Sequence, residues 1–204
     1  MKEPIIYGLF PTPIFFSSLE REFTSLELEF VDQNKKNTYN NEGNITSNNN
    51  YVLNETPFLN LKNELDLKVK EYFDKIICPS NKITPYITQS WLNYTDKNQY
   101  HHKHFHANCL VSGVLYINSD EKFDNIKFFK KDYQLIDFEP KEYNVFNATS
   151  WFFPVKTGDI ILFPSSLTHM VETKKGDNTR VSLAFNVFIK GILGNNKALN
   201  ELKL

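Results

Sequence analysis

The chain has 204 residues and a formal net charge of −1. That length suits one domain with a sizeable core. The near-neutral balance gives no electrostatic reason to bind nucleic acid or an acidic membrane surface. No run of about 18 or more apolar residues occurs, so no membrane span is expected. The start, Met1 to Ile6, does not have the form of a signal peptide. Cys78 and Cys109 stand far apart and read as two core thiols in a reducing compartment, so a cytoplasmic location is expected.

In chain order, Ile5 to Phe16 is apolar and aromatic but broken by Pro11 and Pro13, which allows only an edge or bent strand. Asn34 to Asn50 is dense in Asn with few apolar residues and reads as an exposed loop. A long helix follows over Pro57–Ile77. Thr56 is its expected N-cap, Pro57 its first residue, and Phe58, Leu61, Leu65, Val69, Tyr72 and Ile76 form an apolar stripe.

From Ile83 the period changes. Strand-like runs occur at Ile87–Tyr94, Cys109–Ile117, Ile126–Phe129, Trp151–Pro154, Asp159–Phe163, Met170–Thr173 and Arg180–Ile189, separated by turn residues. The expected fold class is α+β, mainly β: a double-sheet jelly roll over 83–190 with N-terminal helices packed outside it. The expected organisation is a single domain over 1–204. Residues 1–82 supply strand, loop and helix, and 191–204 form a tail.

Histidine is not scattered. Four of the five lie in Tyr100–His106, and the fifth is His169. In an extended segment His104 and His106 point the same way, with His102 on their face if the strand stays regular. A distal third ligand can only be His169 if it is a histidine. Such a run can also be a plain surface patch, but His-x-His entering an apolar strand, with a distal His at a strand edge, favours a metal site. Imidazoles alone do not choose among Fe, Zn, Cu and Ni. Within Arg180–Asn186, Val181, Leu183 and Phe185 alternate with Arg180, Ser182, Ala184 and Asn186. An arginine on the concave face of a barrel is costly unless an anion meets it, and its planar fork fits a carboxylate. Trp91 and Phe185 read as core residues. Lys130-Lys131 and Lys174-Lys175 read as solvated turns. No glycine-rich phosphate loop and no nucleophile turn is present.

The ordered segments Leu9–Ile14, Ser90–Asn93, His104–His106, Ser112–Tyr116, Gly158–Ser165, His169 and Arg180–Asn186 resemble the Fe(II)- and 2-oxoglutarate-dependent dioxygenases on the double-stranded β-helix, or cupin-like, fold. The resemblance is strongest to an oxygenase group of marine bacteria and phages with a His-x-His…His motif. It implies Fe(II) as metal, 2-oxoglutarate as co-substrate, dioxygen as reactant and a small-molecule or peptide prime substrate. It implies His104, His106 and His169 as metal ligands. Arg180 would take the far carboxylate of 2-oxoglutarate, with Ser182, Tyr116 and Tyr94 as further cofactor-binding residues. Tyr94 and Asn93 occupy opposite faces of one strand, and the sequence does not say which looks inward. Most of the superfamily has a carboxylate where His106 stands; if His106 does not bind, Asp96 or a water could complete the sphere. Two other readings stay open: a cupin-like three-histidine dioxygenase that does not use 2-oxoglutarate, and a metal-binding barrel without turnover. The prime substrate is to be sought at Asn34–Asn50, His101–His102 and Asp132–Ala148.

Overall fold

A computed structural model describes residues 3–131, 136 and 138–204. Twelve strands are present among them: β1 Phe15–Ser18, β2 Thr38–Asn40, β3 Ile45–Ser47, β4 Ile83–Thr95, β5 His101–His104, β6 Val111–Asn118, β7 Asn125–Phe129, β8 Ser150–Pro154, β9 Asp159–Pro164, β10 His169–Val171, β11 Arg180–Leu193 and β12 Leu202–Lys203. The larger sheet runs β1-β9-β6-β11-β4-β3-β2, with β12 paired to β11, and the smaller runs β5-β10-β7-β8. Every ladder in both sheets is antiparallel. Two facing antiparallel sheets with helices on one outer surface make the expected jelly roll.

Two apolar clusters sit on opposite faces of the larger sheet. One joins Leu92, Leu115, Leu183, Phe185 and Val187 to the helices, and the other packs Val114, Ile126, Phe128, Ile161 and Phe163 between the sheets. The alternation along β11 therefore runs as the sequence predicts. Gly113 is required where β6 crosses Phe185, because a Cβ there would lie 2.2 Å from the ring.

Helix α2, Leu59–Tyr72, buries Leu61, Leu65, Val69 and Tyr72 against that sheet. Its start differs from expectation. Thr56–Phe58 is a 3-10 turn, Pro57 sits in it, and neither Glu55 nor Phe58 caps it through a side chain, so Thr56 is not the N-cap. A wider π-helical turn, Phe73–Ile77, carries the chain to Cys78, whose φ of 45° ends the helix. A second helix, α1 (Ser25–Lys35), precedes it. Thr24 Oγ1 accepts from the Glu27 N–H, and Glu27 Oε2 accepts from the Thr24 N–H, forming a reciprocal cap.

Three further expectations are corrected. Of the apolar N-terminal run only Phe15 and Phe16 enter a strand, while Ile5 to Phe10 is exposed coil. The Asn-rich segment is not an exposed loop. It contains the hairpin β2–β3, which adds to the edge of β4 and buries Asn44, Thr46 and Ser47. Neither cysteine is a core thiol: Cys78 is exposed and Cys109 half-buried. Asp132–Leu135 and Asp137 lie outside the described residues, so the expected Asp132–Ala148 insertion is described only in part. No helix among the described residues is long and apolar enough to cross a membrane.

Candidate metal centre and anion pocket

His104 ends β5 and pairs directly with His169 at the start of β10. His106 lies two residues past β5, where its N–H donates to the Ser165 carbonyl and its ring faces β11. The ligand nitrogens of His104, His106 and His169 all lie within 4.8 Å of one another. Each ring is oriented through Nδ1. It is 2.7 Å from the His102 carbonyl in His104, 3.1 Å from the Leu167 carbonyl in His169, and 2.6 Å from Asn186 Oδ1 in His106. All three partners are acceptors, so Nδ1 carries the proton and Nε2 keeps a free lone pair. That is the tautomer a metal requires.

Burial above all pushes the imidazolium forms down, His104 to about 4 and His169 to about 3, and His106 also falls below its usual value. Neighbouring histidines lower the first two further. The rings are therefore neutral at physiological pH and ready to ligate. Asp96 is not among them. Thr179 Oγ1 donates to its carboxylate, and Lys35 stands 3.9 Å away. Nothing in this geometry makes Asp96 a middle ligand.

The inner face of the larger sheet carries a polar row across four strands. Thr46 pairs with Asn93, Asn93 with Ser182, and Ser182 with Tyr116. Thr46 Oγ1 donates to Asn93 Oδ1 at 3.0 Å. This settles the parity of β4: Asn93 looks inward. Tyr94 faces the other way into the helix-side core, and its hydroxyl donates to the Val31 carbonyl at 2.7 Å. Tyr94 is therefore not a cofactor contact, because the pairing of β4 with β11 fixes its side. Trp91 shares the parity of Asn93 and is not a core residue. It stacks near His106, with ring centroids 5.5 Å apart.

Two residues along β11 from Ser182 lies Arg180, only 2% exposed. Its guanidinium lies 5.8 Å from the Tyr116 ring centroid. Among the described residues its one hydrogen bond is a long 3.4 Å contact from Nη1 to the Asn125 carbonyl, and Nε has no partner. Thr95 Oγ1, on the residue paired with Arg180, and Asn125 Oδ1 are also buried without partners. Desolvation lowers the pKa of Arg180, and Tyr116 and Asp124 oppose this. Asp124 does not neutralise it, because Lys174 Nζ holds that carboxylate at 2.7 Å in an almost fully buried ion pair and also donates to Asn178. Lys174 is thus not a solvated turn residue. A buried cation with the Thr95 hydroxyl beside it as a free donor fits a carboxylate, and the far carboxylate of 2-oxoglutarate is of that kind.

A cleft of about 260 Å³ opens beside the histidines. Tyr39, Asn41 and Thr46 from the hairpin form one wall, and Trp91, Ala107 and Asn186 lie opposite. The hairpin wall falls within Asn34–Asn50, where the prime substrate was sought, but as paired strands rather than a loop; sequence reasoning missed Trp91. Asn186 was legible, since it shares the parity of Arg180 and Ser182.

Residues 89–186 match the family model described as "Putative 2OG-Fe(II) oxygenase". Over that stretch, just under half of the chain, it is similar to the 2OG-Fe(II) oxygenases, oxidoreductases of a family that depends on Fe(II) and 2-oxoglutarate. Solved structures agree on the fold. A 2OG-Fe(II) oxygenase family oxidoreductase from Burkholderia pseudomallei is 15% identical, with a TM-score of 0.55 over 84% of this chain and 83% of that one. HygX from Streptomyces hygroscopicus, with nickel, 2-oxoglutarate and hygromycin B bound, is 14% identical, with a TM-score of 0.54 over 86% and 82%. A Pseudomonas putida prolyl-4-hydroxylase is 13% identical, with a TM-score of 0.53 over 86% and 92%. A search of curated protein sequences found no match.

Proposed function

We propose that this oxygenase is a hydroxylase that holds Fe(II) on Nε2 of His104, His106 and His169 and binds 2-oxoglutarate against Arg180. The observation that carries the reading is the pairing of three oriented, neutral imidazoles with a buried, unpaired guanidinium at the end of the same inner face. When bound, iron and 2-oxoglutarate supply the activation of dioxygen. The chain's own groups do the rest. The Nδ1 hydrogen bonds fix ring orientation. Arg180, with Ser182, Tyr116 and Thr95 around it, takes the far carboxylate. Three neutral ligands leave both charges of a divalent ion uncancelled, which favours a dianionic co-substrate.

The prime substrate is a small molecule or peptide segment that fits the cleft, whose lining residues carry no formal charge once the histidines are neutral. HygX with hygromycin B bound, and a Trichoplax adhaerens prolyl hydroxylase in complex with a hypoxia inducible factor peptide fragment, support both sizes of substrate for this fold. We place the enzyme in the cytoplasm, in keeping with its two unpaired cysteines. The test is anaerobic titration of the Fe(II)-loaded protein with 2-oxoglutarate, followed by metal-to-ligand charge-transfer absorption. A saturable band at one equivalent of iron is expected. Iron binding with no band would instead favour a three-histidine dioxygenase that does not use 2-oxoglutarate. A His106→Ala protein that binds iron as tightly as wild type would remove His106 from the ligand set.

A further inference from the structure

We propose that His101, His102 and His104 form a second transition-metal site that competes with the iron site for His104. The ion it fits is a late divalent cation with a preference for imidazole, Zn2+, Ni2+ or Cu2+. Ligand nitrogens of these three residues lie within 4.8 Å of one another, as do those of the iron set. The ring spacings match as well. Centroids are 5.2, 4.5 and 4.8 Å apart in the second set, and 5.2, 4.3 and 5.2 Å apart in the first.

The backbone shows how adjacent histidines come together. Between its pairings β5 uses three steps, His104 to His101, where β10 uses two, His169 to Val171. The extra residue is a β-bulge, and it breaks the alternation that would have turned His101 away from His104. His102 Nδ1 is buried and has no hydrogen-bond partner among the described residues. An imidazole nitrogen left so is unfavourable until a proton acceptor, a donor or a metal meets it. All three residues also line the cleft beside the iron set.

The sharing of His104 makes the two sites exclusive. Its Nδ1 is committed to the His102 carbonyl at 2.7 Å, which leaves Nε2 as its one ligand atom. A neutral imidazole gives that lone pair to a single ion. Occupancy of the outer set therefore withdraws His104 from His106 and His169 and empties the iron site of one ligand. The chain takes one ion in either of two positions, and excess zinc or copper acts as an inhibitor by relocation rather than by simple replacement.

This inference rests on the iron-site reading, and the experiment separates the two. Apoprotein is loaded with substoichiometric Cu(II) and examined by electron paramagnetic resonance. All five histidines of the chain lie in these two sets, so no other imidazole contributes. Wild type is expected to show two superposed copper signals with a limit of one ion per chain. His101→Ala/His102→Ala should lose one signal, and His106→Ala/His169→Ala should lose the other. The milder pair His101→Asn/His102→Asn, with circular dichroism on each variant, guards against loss of fold. One wild-type signal that survives His101→Ala/His102→Ala overturns the second site and leaves the iron site standing. One signal that survives only His106→Ala/His169→Ala keeps the second site and overturns the iron assignment. Two ions bound together refute the exclusion, and no copper bound refutes both sites.

Discussion

Replacing Arg180 by alanine is the perturbation that most directly probes co-substrate recognition. Arg180 is 2% exposed and, among the described residues, its guanidinium has no carboxylate partner and its Nε is unpaired. A carboxylate arriving there gains up to two charge-assisted bonds of about 1.5–3 kcal/mol each. Part of that gain offsets stripping water from the anion. Ser182 and the Thr95 hydroxyl remain in the variant to receive it. The net loss is therefore on the order of 1.4–3.5 kcal/mol, or tenfold to several hundredfold in affinity. Arg180→Lys should recover only part, because an ammonium cannot make the forked contact. Iron binding should stay near wild type, since Arg180 is outside both histidine sets. The assay is the anaerobic charge-transfer titration, with iron content measured on the same samples. Equal 2-oxoglutarate affinity in Arg180→Ala and wild type would refute the reasoning.

Three other outcomes are expected. Asn186→Ala removes the acceptor 2.6 Å from His106 Nδ1 and should weaken metal binding by about 10–100-fold, read by competition with a chelator. Lys174→Met leaves Asp124 buried without its cation and should cost about 3–5 kcal/mol in chemical denaturation. Adding Asp124→Asn should restore most of that, and a double variant no better than the single would contradict the ion-pair account. The pH dependence follows from the histidines of the metal-free protein. Their folded-state pKa values lie below the ordinary 6.5, so on acidification the unfolded chain takes up protons first. Stability is present above about pH 6.5 and is lost as pH falls toward 4 for His104 and 3 for His169. Thermal denaturation from pH 7 to 4 should show Tm falling across that window, and a flat profile would show that the rings are not held neutral.

The strands of the jelly roll were legible because one face of each packs on a core, so the apolar residues alternate. The metal set was legible because His104 and His106 share parity and His169 is the one distant histidine. The errors lie where that rule loses its grip. On β4 both Asn93 and Tyr94 are buried, one among polar groups and one in the core, so alternation alone could not tell inside from outside. The β2–β3 hairpin buries Asn44, Thr46 and Ser47, Thr46 against Asn93, and a strand that buries polar side chains looks like a loop in sequence. Helix α1 has a weak apolar stripe because Glu27, paired with Arg21, takes a buried position. Its Thr24-to-Glu27 spacing was the readable clue. Lys174 looked like a turn lysine because its partner, Asp124, is 50 residues away.

The hairpin wall of the cleft has an evolutionary consequence. β2 is the last strand of its sheet, and β3 touches the rest through β4 alone, by the pairs Ile45–Tyr94 and Thr46–Asn93. Substitutions at Tyr39 or Asn41 therefore meet the substrate space without passing through the ladder that carries Arg180 or the loop that carries His106. Selection can therefore rewrite what this enzyme accepts within about ten residues of edge, while the strands that carry Arg180 and His169 keep their pairing.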